Sequence, residues 1–73
     1  MDREMVERHL GQARRHVEEG KRHITGQREL LARLERDGHD TTEAAKLLAS
    51  FEDLQRMHVT DRDRLERELV AHR

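Results

Sequence analysis

Cysteine, proline, tryptophan and tyrosine are all missing from this 73-residue chain, and Phe51 is its single aromatic residue. Without cysteine there is no disulfide frame, no CxxC zinc site and no thiol nucleophile, which excludes the stapled secreted miniproteins and the zinc ribbons. Long apolar runs are missing too. The longest strictly apolar stretches are three residues, such as Leu30 to Ala32 and Leu47 to Ala49, far short of a signal-peptide core or the ~20 residues of a membrane span. A soluble cytoplasmic protein with no membrane partner is therefore expected. Ser50 is the only serine, and its neighbours supply no base with an orienting acid. No catalytic residue is assigned, and the chain is not expected to be an enzyme.

What the sequence does hold is charge. Charged residues make up 42% and hydrophobic residues 33%, for a formal net charge of −1. High charge with few aromatics is also the signature of disorder, so the arrangement of the apolar minority decides the fold. Apolar residues recur at steps of three and four rather than two, which favours helix over strand. In the first half the stripe runs Val6, Leu10, Ala13, Val17, Gly20, Ile24, Gln27, Leu31, Leu34, a seam of four heptads. In the second half it runs Ala44, Leu47, Phe51, Leu54, His58, Asp61, Leu65, Glu68, strong at its start and increasingly polar.

The stretch ERDGHDTTEA separates the two stripes. Arg33 and Arg36 lie where cations suit the negative end of a helix, and Gly38 can adopt the left-handed conformation that ends one. Asp40 is expected to cap the second helix, with Glu43 completing a capping box around Thr41 and Thr42. The link is then about four residues, which forces the helices antiparallel. A turn near residue 39 pairs positions whose numbers total about 78, so that Leu31 meets Leu47, Ile24 meets Leu54 and Ala13 meets Leu65. The expected fold is an all-α antiparallel two-helix hairpin, with helices over 3–37 and 41–71, forming one domain across residues 1–73. Thr60 followed by Asp61 and Asp63 could re-cap a helix after a bend at 59–61.

Five acid-to-base pairs at spacing four, Glu4 to Arg8, Glu18 to Arg22, Glu29 to Arg33, Glu52 to Arg56 and Asp63 to Arg67, have the favourable helical orientation and read as solvated surface. Leu30, Leu48, Met57 and Leu69 fall on the flanks of the seam. A hairpin of two helices covers each seam residue on one side only, so these four are expected to form the apolar interface of a homodimer, an antiparallel four-helix bundle. Within the seam His58 faces Gly20. The missing side chain at 20 leaves room for the imidazole, and a polar seam residue of this kind can set register.

Arg8-His9-Leu10, Arg15-His16-Val17 and Arg22-His23-Ile24 form a repeat of period seven. Residues seven apart on a helix lie ~10.5 Å apart along its axis, so His9, His16 and His23 cannot share one ion, and no HxxxH or HExxH occurs. No metal and no cofactor is assigned, although a dimer could bring two such rows together. Arg8, Arg15 and Arg22 are candidate phosphate contacts, the alternative being a small nucleic-acid-associated regulator that uses the basic part of helix one. No aromatic residue or known motif accompanies them.

The RHL, RHV and RHI steps, the ERDGHDTTEA turn and the following LLxxFExxQxxHxxDRDRL pattern resemble a group of short uncharacterised bacterial proteins frequent in rhizobia. The resemblance spans most of the chain and implies a bacterial cytosolic origin; it brings no activity or cofactor. The reading is a non-enzymatic homo-oligomeric helical module for interaction or scaffolding, whose protein partner the sequence does not name.

Overall fold

The computed structural model describes residues 2–72 as two helices, α1 (Arg3–Arg36) and α2 (Thr42–Ala71), packed against each other as a hairpin. At 1.5 Å per residue they are about 51 and 45 Å long, and the molecule is a rod of 55 × 14 × 13 Å.

Each helix end has an identifiable cause. Asp2 caps α1, its side chain accepting the Met5 N–H at 2.8 Å. At the other end Gly38 takes φ +73°, which directs the Gly38 N–H to Glu35 O (3.2 Å) and the His39 N–H to Leu34 O (2.9 Å). This pair of bonds is the Schellman closure expected from glycine at that position. The start of α2 differs from the capping box read from the sequence. Thr41 occupies the cap position without a side-chain bond, while Asp40, one residue earlier, accepts both the Thr42 N–H (2.9 Å) and the Thr42 hydroxyl (2.8 Å). Glu43 turns outward to Lys46, 3.6 Å away. An aspartate that bonds two residues ahead already satisfies the first free N–H, so the reciprocal glutamate is not needed. α2 then runs through 59–61 without a break.

The tight core lies at the open end of the hairpin, where Val6, Leu10, Ala13 and Leu65 form one buried cluster with Leu69 packed against it. Val17 is buried further along α1. Nearer the turn, Ile24, Leu31, Leu34, Ala44, Leu48 and Phe51 are only half-buried.

Cross-helix contacts bracket the expected register. Arg14–Glu66 and Arg28–Glu52 total 80 on one flank, whereas His16–His58 and His23–Phe51 total 74 on the other. The rotation of α2 about its own axis, however, differs from the sequence reading. Ala44, Phe51, His58 and Leu65 face α1 as expected, but their companions are Leu48, Gln55, Arg62 and Leu69, half-buried, while Leu47 and Leu54 are exposed. The expected set would have turned Asp61, which is exposed, into the seam behind the Val6–Leu10 cluster at the cost of desolvating a carboxylate, while Glu68 is half-buried here. The observed set instead adds Leu69 to that cluster and places Arg62, whose apolar stem tolerates the rim. Leu48 and Leu69 thus belong to the hairpin's own packing rather than to an outer surface.

The rotation also changes what faces Gly20. A Cβ at position 20 would lie 2.7 Å from Gln55 Cδ, so the glycine makes room for Gln55 and not for His58. Gln55 Nε2 donates to Val17 O at 2.9 Å, and Gln27 Nε2 donates to Ala44 O at 3.0 Å. These two part-buried amides, one from each helix, tie the helices together.

Of the five acid-to-base pairs expected at spacing four, none forms among the described residues. Glu18 meets Lys21, Glu52 crosses to Arg28, Asp53 takes Arg56 and Asp63 takes Arg62. All of these side chains are partly or largely in solvent, where one long flexible cation replaces another at little cost.

Candidate functional site

The two long flanks of the hairpin have opposite character. On one, Arg14 reaches Glu66 (3.4 Å) and Arg28 reaches Glu52 (3.2 Å); Lys21 and Val59 occupy the heptad step between them. On the other, α1 presents His9, His16, His23 and Leu30, each seven residues apart, and α2 presents Leu47, Leu54 and Asp61 at the same interval. A seven-residue step returns to nearly the same face of a helix, so each row is one continuous column. Among the described residues, no ion pair crosses this second flank.

Aromatic rings fill part of the space between the columns. His16 lies against His58 with ring centroids 5.0 Å apart and planes tilted by 43°. His23 lies against Phe51 at 5.6 Å and 34°. Open grooves run on both sides of the His16–His58 contact. One is lined by Glu19, Gly20, His23 and Leu54, the other by His9, Gln12, Asp61 and Arg64. His9, His16 and His23 therefore sit as the repeat places them, on one face. The cross-helix partners of His16 and His23 come from α2 and are visible only in the fold.

Leu47 and Leu54 are 46% and 49% exposed, and Met57, one turn beyond Leu54, is 63% exposed. Leu30 at the end of the histidine column is exposed as well. Leu30, Leu47, Leu54 and Met57 make up the exposed apolar surface along this side, of which the sequence pattern marks Leu30 and Met57, and Met5 and Val70 are exposed near the open end of the hairpin. The spacing of Leu47 and Leu54 fits either stagger, and the acid at 61 is the local signal that turns them outward.

Arg8, Arg15 and Arg22 form a separate column on the outer side of α1. All three are exposed, and among the described residues they enter no ion pair. At the turn, the backbone N–H of Thr42 and then its hydroxyl hold the exposed Asp40 carboxyl below its ordinary acidity range. His39, at the tip, is exposed. No described helix is long and apolar enough to cross a membrane, and among the described residues no group of three or more histidine, aspartate or glutamate side chains is placed to hold a metal ion. No family model, curated protein or solved structure matches the chain.

Proposed function

We propose that the chain is a non-enzymatic helical module of the bacterial cytoplasm that self-associates through the flank carrying Leu30, Leu47, Leu54 and Met57, making a four-helix assembly that serves as an interaction scaffold. The observation that carries this reading is the unequal division of the flanks: ion pairs cross one, while the other leaves four large apolar side chains in solvent. The surface area supports it. The chain exposes 5446 Å², whereas a compact monomer of its mass exposes about 4,700 Å². Its radius of gyration is 16.5 Å against about 11 Å for a compact domain of this length. The excess, on the order of 700 Å², approaches the ~800 Å² that each partner contributes to a standard interface. A second copy offers the same leucines to cover those of the first.

Analytical ultracentrifugation at 1 to 100 micromolar tests the proposal. A dimer that Leu54→Glu and Leu47→Glu convert to monomers of unchanged helicity supports it; a monomeric, cooperatively folded wild-type chain throughout that range overturns it.

A second reading rests on the unpaired column Arg8, Arg15 and Arg22. Three guanidinium groups at ~10.5 Å intervals along an exposed helix face are available to phosphates, which favours a nucleic-acid-associated role. Its test is a gel shift with duplex DNA and RNA: binding should weaken steeply between 50 and 200 mM salt and be lost on neutralising the three arginines.

A further inference from the structure

We propose that His16 and His58 form an interhelical two-imidazole site for a divalent transition metal ion of the zinc, nickel and copper class. Within α1 the histidines are too far apart to share an ion, but folding brings His58 across from α2. Two imidazoles bound to one tetrahedral ion at ~2.0–2.1 Å from each nitrogen have their ring centres roughly 5 Å apart. The centroids of His16 and His58 are 5.0 Å apart, which matches that spacing.

The surroundings suit a cation. Among the described residues neither imidazole is committed to a hydrogen bond, which leaves the ring nitrogens free to coordinate. The contact forms the ridge between two grooves, and each groove contributes one carboxylate, Glu19 on one side and Asp61 on the other. The one cation lining the second groove, Arg64, is occupied by Asp61 (3.8 Å) and Glu68 (2.9 Å). Imidazole nitrogen is a preferred donor for this class of ion, whereas magnesium and calcium demand oxygen.

Because no third protein ligand is in place, water completes the coordination. The site is therefore an exchangeable one rather than a closed structural centre. Its ligands come from both helices near their midpoints, so an ion bound there clamps α1 to α2 and stabilises the folded hairpin in proportion to its occupancy. Both ligands come from one chain, but the site adjoins Leu54 on the flank assigned to self-association, so zinc binding is read on the chain at concentrations where it is monomeric as well as where it is dimeric.

Calorimetric titration of the full chain with zinc chloride in a phosphate-free buffer at pH 7.5, paired with thermal melts at 100 micromolar zinc, tests the assignment. One zinc per chain, a melting midpoint raised by a few degrees, at least tenfold weaker binding in His16→Gln and His58→Gln, and unchanged binding in His23→Gln are expected. His16 is exposed, so His16→Gln decides the outcome if His58→Gln fails to fold, with far-ultraviolet circular dichroism confirming helicity. Absence of zinc uptake up to 1 mM overturns the proposal. So does binding unaffected by His16→Gln, equal loss on His23→Gln, or half an ion per chain, which would mark histidine rows pairing between copies.

Discussion

Gln55 occupies the space that Gly20 leaves open: its amide crosses from α2 and donates to Val17 O at 2.9 Å, while a Cβ at position 20 would come within 2.7 Å of its Cδ. The glycine costs helix stability, and the glutamine recovers part of that by filling the notch. The exchange is incomplete, since Gln55 Oε1 is buried without a hydrogen-bond partner.

Gly20 and Gln55 should be energetically coupled. Alanine in place of glycine favours an isolated helix by ~1 kcal/mol, but in the wild-type hairpin Gly20→Ala must displace Gln55 and its bond to Val17, an opposing cost of about 1 kcal/mol. Gly20→Ala alone is expected to change stability little. In a Gln55→Ala background it should stabilise by ~1 kcal/mol. Urea denaturation of the four proteins of this cycle provides the check, and additive effects would argue against the contact.

The orphaned Oε1 leads to a second expectation. Gln55→Met keeps the length of the side chain and removes the buried acceptor, a gain that offsets the lost bond to Val17 O, so stability should change by less than about 1 kcal/mol. Loss of the amide also removes one of the two side-chain-to-backbone bonds between the helices. Urea denaturation measures the change, a loss of more than about 1 kcal/mol would sink the expectation, and broader amide resonances in the variant's NMR spectrum would report a looser register.

The rotation of α2 can be measured by truncating leucines. Leu65→Ala opens a cavity in the Val6–Leu10–Ala13 cluster and should cost about 3 kcal/mol. Leu54→Ala removes an exposed side chain and should cost the folded chain well under 1 kcal/mol, as surface changes do, while weakening self-association. Chemical denaturation at low protein concentration separates the two effects. Similar losses at both positions would return Leu54 to the seam.

Acid should loosen the turn through Asp40. Its carboxyl is held below the ordinary range by the Thr42 N–H and hydroxyl, and a depressed carboxylate stabilises the fold above its unfolded value of ~3.9. That contribution is lost as pH falls through the lower folded value. Asp40→Asn should therefore melt below wild type at pH 5 to 7, and the gap should close as both are taken to pH 2.5. Circular dichroism melts across that range test the sign; a constant gap would mean that the charge plays no part.

Ion pairs across the charged flank should matter little by comparison. Arg28→Ala removes the bond to Glu52 from a largely solvated pair, so the loss should be at most about 1 kcal/mol and should disappear in high salt. Melts at 20 mM and 500 mM sodium chloride measure it.

Local patterning suffices for the two helices, the turn and the axial register that the turn sets. Heptad spacing of Val6, Leu10, Ala13 and Val17 marks α1, Gly38 ends it, and a link this short leaves only an antiparallel return. Local spacing also put His9, His16 and His23 on one face. How α2 is turned about its axis depends instead on contacts between the helices. Two staggers share Ala44, Phe51, His58 and Leu65, and single-helix periodicity treats them alike. The choice depends on what α1 presents opposite: a Gly20 notch that accepts Gln55 and an apolar cluster that gains Leu69. That rotation leaves Leu47 and Leu54 in solvent and brings His58 to His16, so both the proposed interface and the proposed metal site depend on relations between the helices that neither helix encodes alone.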